Sequence, residues 1–325
     1  MNRQNKIYLC AFTIIVLLIP TLVSSNYYLM VLNIAALNII VVVGLNLFVG
    51  YAGQISLGHA AFYGMGAYIS AILTTTIGLP AWPTIILAMV ITGLVAYVIG
   101  IPTLKLEGHY LVMATLGFSI IINILMVQLD GLTGGPSGFP GISHLGIGPI
   151  VFATDFTFYY LVWPICVGIL ILSFNLIRSR IGRAMAALSS NEIAAGCAGI
   201  DTDALKIQIF VLSAVLGSLA GSLYAHYVTF ISPETFSFFY SIQVITMVII
   251  GGMGSIWGSV FGALLLTILP QILHVVEAYS VLTYGGILMV VLVFFPQGLF
   301  PGLVEAYRKR RPAAMPLSVK EVRQG

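Results

Sequence analysis

Apolar runs, each close to the length of a bilayer crossing, recur along nearly the whole chain. Only 7% of the 325 residues are charged and 59% are hydrophobic, whereas soluble domains carry about 25% charged residues. The surface of a water-soluble protein of this length needs far more charge than this sequence supplies. The composition therefore excludes a soluble enzyme, a disordered protein and a nucleic-acid binder. It predicts an all-α, polytopic membrane protein.

About ten runs are long enough to cross a bilayer, which takes roughly 20 apolar residues per helix. They are 7–24, 28–49, 60–77, 83–104, 110–128, 158–177, 207–229, 235–250, 256–273 and 281–296. Residues 235–273 would also fit one long helix, but glycine adopts backbone angles that other residues avoid. We therefore predict a break at 251–255. The expected organisation is one transmembrane domain over residues 1–306, with glycine-broken spans, followed by a basic tail over 307–325.

The positions of the basic residues predict the orientation, because Lys and Arg concentrate in cytoplasmic loops. With the N-terminus inside, all 13 Lys and Arg residues fall inside. Four acidic residues fall outside, without any Lys or Arg: Asp130, Asp155, Glu234 and Glu277. We therefore expect both termini to be cytoplasmic. Loop 178–206 then faces the cytoplasm, and loop 130–157 faces the opposite side.

Two glycine-rich, uncharged segments, 44–62 and 251–262, each join an inward-going span to an outward-going one. Non-helical backbone survives at membrane depth only when it is buried in protein or lines a wet cavity. Its free amides and carbonyls can then face a polar solute. Close helix packing is the alternative for any single glycine, since small residues let helices approach. The predicted translocation-path residues are Asn46, Gly50, Gly53, Gln54, Ser56, Gly58, His59, Gly251, Gly252, Gly254 and Ser255.

Several kinds of chemistry are missing from the sequence. No acidic or basic residue lies in the middle third of a predicted span, which argues against a proton-driven carrier and a voltage sensor. A GxxxxGK[ST] phosphate loop is also missing, so energy for active transport must come from another subunit. The histidines and cysteines are scattered. We expect no enzymatic activity, no catalytic residue, no metal site and no cofactor in this chain.

The long inside loop, 178–206, contains a predicted short helix. Ser189 and Glu192 have the spacing of a capping box, and Gly199 stands where a C-terminal cap would end the helix. A second short helix is expected upstream, over 182–188. An Ala-rich helix has little apolar surface to bury against its own chain, so we expect it to dock onto a partner. An ordinary surface turn beside the positive charges is the alternative.

This loop resembles the coupling loop of ABC importer permeases, whose signature is Glu-Ala-Ala, three residues, then Gly. Here Glu192 is followed by an extra Ile193, then Ala194-Ala195, three residues and Gly199. Four further motifs occur in order along the chain: GLNLFVGYAGQISLGHAAF (44–62), TGGPSGFPG (133–141), YAHYVTFISP (224–233) and the glycine-rich 251–262. With them, residues 28–300 resemble the LivM-type permeases of high-affinity branched-chain amino acid ABC transporters.

The resemblance implies a ten-helix permease in the bacterial cytoplasmic (inner) membrane, serving an ATP-driven importer of leucine, isoleucine and valine. The implied partners are a second homologous permease, two cytoplasmic ATP-binding subunits that hydrolyse the ATP, an extracytoplasmic solute-binding protein and membrane lipid; no nucleic acid is expected. The implied ATPase-coupling residues are Arg183, Glu192, Ala194, Ala195, Gly199 and Asp201. Asp155 and Glu234, with the Gly/Pro-rich outer loop, are candidates for docking the binding protein.

Two alternatives remain open at the level of sequence. Urea and short-amide importers use closely similar permeases, and no charged residue in the spans would pair with the carboxylate or ammonium of an amino acid. A stand-alone sodium-coupled carrier or channel is the alternative from another class. The inside loop, 178–206, distinguishes an ABC permease from such a carrier, because a carrier has no use for a docking helix between spans six and seven.

Overall fold

The computed structural model describes residues 3–22, 25–148, 150–272, Gly286 and Met289. Within these residues, nine helices coincide with the first nine predicted spans. They are α1 (Arg3–Leu22), α2 (Asn26–Asn46), α3 (His59–Thr75), α4 (Ala81–Thr103), α5 (His109–Gln128), α7 (Asp155–Arg178), α10 (Thr202–Val228), α11 (Phe238–Gly251) and α12 (Ile256–Ile272). The predicted tenth span at 281–296, apart from two isolated residues, and the tail at 307–325 lie outside the described residues.

Five of these helices are long and apolar enough to cross a membrane: α2 with its extension to Tyr51, α4, α5, α7 and α10. α11 has 14 residues and α3 and α12 have 17, which is shorter than the roughly 20 residues of a full crossing. The all-α, polytopic membrane architecture is thus confirmed. The number of crossings stays a prediction.

Short elements fill the connections. They are α6 (Asp130–Thr133), α8 (Arg180–Ser190), α9 (Glu192–Cys197) and four two-residue strands, β1 (Phe139–Pro140), β2 (Gly146–Ile147), β3 (Ile150–Val151) and β4 (Phe230–Ile231). β1 pairs antiparallel with β4, and β2 pairs antiparallel with β3. These two small ribbons lie in the outer loop, 130–157, and beside it. They are not part of the helical core.

α2 and α10 form the centre of the helical body. Fifteen of the 21 residues of α2 are buried. α2 packs against α7, α10 and α12, while α10 packs against α3 and α4. Small residues bring these helices together: a Cβ added at Gly44 of α2 would lie 3.1 Å from Leu216 Cβ of α10. This close packing fits membrane helices, which associate through small residues and polar contacts rather than through the hydrophobic effect.

Three buried asparagines lie along α2: Asn33 and Asn38 in its middle and Asn46 at its end. Asn33 donates to the backbone carbonyl of Asp155 (2.9 Å), and Asn38 donates to Thr267 Oγ1 (2.9 Å). Asn46 donates to the backbone carbonyl of Ser255 (2.9 Å). The NH2 group of each side-chain amide is thus paired with a neighbouring segment, as buried donors inside a membrane protein generally are. The three bonds fix α2 against α7 and the α11–α12 region.

The connections separate onto two ends of the helical body. At one end, Gly53 packs on Ser189 and Gly50 packs on Gly254. At the other, Trp82 Nε1 donates to the carbonyl of Gly146 (2.8 Å). Among residues 25–272, the Lys and Arg residues all belong to the first end: Lys105, Arg178, Arg180, Arg183 and Lys206. We call the first end the basic end and the second the acidic end, after Asp130, Asp155 and Glu234.

Candidate functional site

The predicted break between α11 and α12 is confirmed. α11 ends at Gly251 and α12 begins at Ile256. Between them, Gly252 has φ +112° and Gly254 has φ +73°, and glycine adopts such angles at little cost. Across the turn, a side chain at Gly251 would collide with the backbone of Gly258. The glycines therefore allow α11 and α12 to pack closely as an antiparallel hairpin.

Asn46, in the last turn of α2, joins the two glycine-rich segments. Its Oδ1 accepts from the backbone N–H of Gly254 (3.0 Å), and its Nδ2 donates to Ser259 Oγ (2.6 Å) as well as to Ser255. Gly50 lies so close to Asn46 and Gly254 that no side chain would fit there. The contacting residues are more than 200 positions apart in sequence, yet the two segments form one junction at the basic end.

α2 is followed directly, without a break in the helix, by a π-helical turn, Leu47–Tyr51. The amide of Ala52 donates to the carbonyl of Leu47 (3.2 Å) and that of Gln54 to Phe48 (3.1 Å). Residues 53–57 then run without regular structure to α3. π-helical turns occur often at functional sites, and this one starts the stretch of bare backbone that the sequence predicts.

Side-chain hydroxyl groups accept hydrogen bonds from three backbone amides at the start of α3. Leu57 N–H donates to Thr115 Oγ1 (3.1 Å), Gly58 N–H to Ser56 Oγ (3.2 Å) and Ala60 N–H to Ser241 Oγ (3.0 Å). The amides of Gly58 and Ala60 belong to the group that a helix cannot satisfy internally. The start of α3 is therefore a cluster of backbone donors and side-chain hydroxyls that carries no formal charge.

His59, the first residue of α3, is buried within this cluster. Its Nε2 lies 2.5 Å from Ser213 Oγ of α10. Its Nδ1 has no hydrogen-bond partner among the described residues. The histidine thus joins α3 to α10 at the level of the junction.

The predicted path residues all lie at or beside this junction, with different exposure. Asn46, Ser56, Gly58, His59, Gly251 and Gly252 are buried; Gly50, Gln54, Gly254 and Ser255 are half-buried; Gly53 is exposed. Gly53 has φ +72°, and a Cβ there would lie 3.3 Å from Ser189 Cα of α8. The bare backbone after α2 therefore rests directly on the inside loop.

The inside loop contains both predicted helices. α8 starts after Ser179, whose Oγ accepts from the backbone N–H of Ile181 (3.1 Å). Its residues Gly182, Met185 and Leu188 are buried, so α8 lies along the helical body. The capping-box prediction for α9 is wrong, because Ser189 remains within α8. Asn191 caps α9 instead, and its Oδ1 accepts from the N–H of Ala194 (2.9 Å).

Gly199 ends this region as predicted. It has φ +84°, its N–H donates to the carbonyl of Gly196 (3.0 Å), and the N–H of Ile200 donates to Ala195 (3.1 Å). This bond pattern is a Schellman motif, which needs a left-handed residue at the position of Gly199. α9 is thus closed at both ends by its own residues, Asn191 and Gly199.

α9 has one side fastened to the protein and one side free. Ala195 is buried, whereas Ala194 and Cys197 are exposed and Ile193 is 80% exposed. The Glu192 carboxylate forms an ion pair with Lys206 Nζ of α10, and Lys206 is only 2% exposed. The role of Lys206 cannot be predicted from the sequence, because its position there distinguishes it in no way from the other basic residues of loop 178–206.

The remaining two coupling residues flank α9. Arg183 is exposed on α8, and its Nη1 lies 3.5 Å from the carbonyl of Arg178. Asp201 caps α10, because its Oδ1 accepts from the N–H of Ala204 (3.0 Å). Arg183 therefore precedes α9 in the chain, on α8, and Asp201 follows it, at the start of α10.

At the acidic end, the two predicted docking acids have different surroundings. Asp155 starts α7 and is half-buried; its carboxylate accepts a hydrogen bond from Tyr227, and its carbonyl accepts from Asn33. Glu234 lies exposed in the 3₁₀ turn Pro233–Phe236. Asp155 thus helps to hold the outer loop in place, and Glu234 is free to meet a partner.

Comparison with known proteins identifies the family. The family model described as "Branched-chain amino acid transport system / permease component" matches residues 27–295. The chain belongs to this family. It is a permease component of a transport system and a multi-pass membrane protein, as the motifs at 44–62 and 251–262 predict.

Two proteins similar to this permease are named high-affinity branched-chain amino acid transport system permease protein LivM. Those from Salmonella typhimurium (strain LT2) and Escherichia coli (strain K12) are each 32% identical to it, over 92% of this chain and 75% of theirs. The ribose import permease protein RbsC of Haemophilus influenzae is 26% identical over 84% of this chain and 85% of its own. No solved structure matches the chain.

Proposed function

We propose that this permease belongs to an ATP-driven importer of leucine, isoleucine and valine and forms half of its translocation path. The observation that carries the proposal is the family match over residues 27–295. Two relatives at 32% identity, named for high-affinity branched-chain amino acid transport, support this class of solute. The protein would lie in the bacterial cytoplasmic membrane beside a second homologous permease.

The proposed topology has ten crossings and cytoplasmic termini, with one permease domain over residues 1–306 and a basic tail over 307–325. The collection of Lys105, Arg178, Arg180, Arg183 and Lys206 at one end of the helical body supports this orientation. Loops 52–58, 178–201 and 252–255 then face the cytoplasm. The outer loop faces the extracytoplasmic binding protein, with Glu234 exposed for contact.

ATP would be hydrolysed by two partner subunits, and α9 would be the element that docks onto them. The free side of α9 would present Ile193, Ala194 and Cys197 to the cytoplasm, and the exposed Arg183 and Asp201 would be flanking contacts. Full burial of an isoleucine side chain contributes about 1.5–3 kcal/mol, so an Ile193 that is 80% exposed gives a partner a strong anchor. Gly199 and Ala195 would act within the chain, by keeping α9 folded.

The solute would pass the junction of 44–62 and 251–262. Its donors are the amides at the start of α3, and its hydroxyls come from Ser56, Thr115 and Ser241. The N-terminal amides of a broken helix bind carboxylates in other transporters. A zwitterion would enter as these hydroxyls move aside, with no charged side chain needed.

Purification of the tagged chain in mild detergent, with mass spectrometry of its partners, tests the assembly. We expect a second permease and two ATP-binding subunits, and ATP-dependent leucine uptake once the complex and its binding protein are placed in liposomes. A chain that comes out alone and moves solute without ATP would contradict the proposal and favour a sodium-coupled carrier or channel.

A second candidate solute class is urea or a short amide. The uncharged junction favours it, because Asn46, Ser56 and His59 offer hydrogen bonds without a counter-charge. Competition in the same liposomes separates the two solutes. Excess unlabelled isoleucine should suppress leucine uptake and excess urea should not; the reverse result would assign the amide class.

A further inference from the structure

The only salt bridge among the described residues fastens the docking helix to the membrane body. It joins Glu192, the first residue of α9, to Lys206, in the second turn of α10. The lysine side chain is 3% exposed and the glutamate side chain is 32% exposed. The pair therefore has a buried partner on the body and a more accessible partner on the loop.

Burial makes this contact obligatory for Lys206. A buried ammonium is tolerated only when it is paired, and removal of its partner is strongly destabilising. If α9 moved away from α10, Lys206 would be left as a buried, unpaired charge. A force on α9 must therefore move the start of α10 with it, or break the pair.

α10 continues from Lys206 directly to the junction. Ser213 lies seven residues further, on the same face of the helix, and its Oγ is 2.5 Å from His59 Nε2. Further along, Ser222 Oγ donates to the carbonyl of Gly66 in α3 (2.9 Å). Two turns of α10 thus connect the ion pair with the first residue of α3, where the bare backbone ends.

We propose that the Glu192–Lys206 pair is the positioning contact that transmits movement of α9 to α10 and the junction, and that Glu192 does not itself bind the ATPase. This proposal rests on the proposed function. In it, Ile193 and its exposed neighbours meet the ATPase, while Glu192 points back into its own chain. The two roles of α9 are then divided between its free side and its fastened side.

The complete transporter in liposomes tests the proposal, with co-purification of the ATPase and uptake per ATP hydrolysed measured for each variant. Lys206→Met and Glu192→Gln should keep the ATPase bound but lower uptake per ATP by about 10-fold, within the usual range of coupling between sites. The reversed pair, Glu192→Lys with Lys206→Glu, should recover at least part of this loss. Asp203→Asn, which changes a nearby exposed acid on α10, is the matched control and should behave as the unmodified protein.

A double variant, Glu192→Met with Lys206→Met, separates transmission from stability. Apolar replacement of a buried pair commonly preserves stability, so its melting temperature should approach the original while uptake per ATP stays low. Full recovery of uptake in this variant would show a merely structural pair and overturn the proposal. Loss of bound ATPase in Glu192→Gln but not in Lys206→Met would also overturn it, by making Glu192 a direct contact. Failure of the unmodified chain to bind any ATPase would instead contradict the proposed function.

Discussion

The two long loops of the molecule, at its acidic and basic ends, are attached in different ways. The outer loop is bonded to several helices at once: His226 Nδ1 lies 2.7 Å from the carbonyl of Ser143, Trp82 donates to Gly146, and Tyr227 donates to Asp155. The inside loop is capped mostly by its own residues, and one ion pair fastens α9 to α10. The outer loop therefore forms a fixed platform, while α9 is a preformed element held by one ion pair and by the packing of Ala195.

This difference suits two functions, docking of the binding protein at the outer loop and transmission of movement by α9. A surface that receives a binding protein benefits from a shape held by many bonds, since little order is lost on docking. An element that transmits movement needs internal rigidity and few attachments. If the two loops differ in this way, changes in α9 should alter its coupling to the ATPase, and changes in the outer loop should not.

Ala195→Pro should have the largest effect. The amide of Ala195 donates to the carbonyl of Asn191 (3.0 Å), and proline inside a helix costs about 3 kcal/mol or more. We expect solute-stimulated ATP hydrolysis to fall to the basal rate, with the permease still inserted. Ala195→Ser keeps the amide and serves as the control. Proline at Glu192 would be a weaker test of helicity, since the first helical position tolerates it.

His226→Leu should loosen the outer loop. The change leaves Ser70 Oγ, 2.8 Å from His226 Nε2, and the carbonyl of Ser143 without this partner. Ser70 keeps its contact with Thr84 Oγ1 (3.2 Å), so the change removes two hydrogen bonds of about 0.5–1.5 kcal/mol each. The loss should appear as a lower melting temperature and faster proteolysis within 134–148. The amount of co-purified ATPase should not change. A lower ATPase content with an intact outer loop would contradict the separation of the two loops.

Ile193→Ser should weaken docking without affecting the fold. The side chain is 80% exposed, so its removal leaves the melting temperature unchanged, whereas loss of an interface anchor costs about 1–2 kcal/mol, or roughly 10-fold in affinity. The measurement is a titration of the permease with the ATPase. Ile147→Ser, at an isoleucine 56% exposed in the outer loop, is the matched control. Equal binding by both variants would exclude Ile193 as an anchor.

Gly199→Ala and Gly196→Ala should have small effects of opposite sign. Gly199 has φ +84°, where a side chain costs about 1–2 kcal/mol. Gly196 lies within α9 with open space around it, and there alanine favours the helix by up to about 1 kcal/mol. Hydrogen exchange of the α9 amides should accelerate in the first variant and slow in the second. The same sign in both would mean that the Schellman motif does not hold α9.

Local patterns predicted much of this fold, and tertiary contacts account for what they missed. Apolar length placed the nine described apolar helices, and the turn chemistry of Gly199 and of 251–255 placed the cap and the break. Ser189 misled because its spacing from Glu192 suits a cap, although α8 continues through it to Ser190. Lys206, Asn33 and Asn38 act through partners 14 to 229 residues away. The sequence shows only that these residues are polar, so their hydrogen-bond and ion-pair partners could be identified only from the structure.

The native cysteine on α9 can test the claim that α9 is a cytoplasmic element which docks onto an ATPase. Cys197 is exposed and Cys166 is buried, so in a Cys10→Ser background a polar maleimide should label mainly Cys197. We predict labelling in inside-out vesicles but not in right-side-out vesicles, and strong protection when the ATP-binding subunits are present. An added Ile147→Cys should show the opposite sidedness. Labelling of Cys197 from the outside, or equal labelling with the ATPase bound, would contradict the claim.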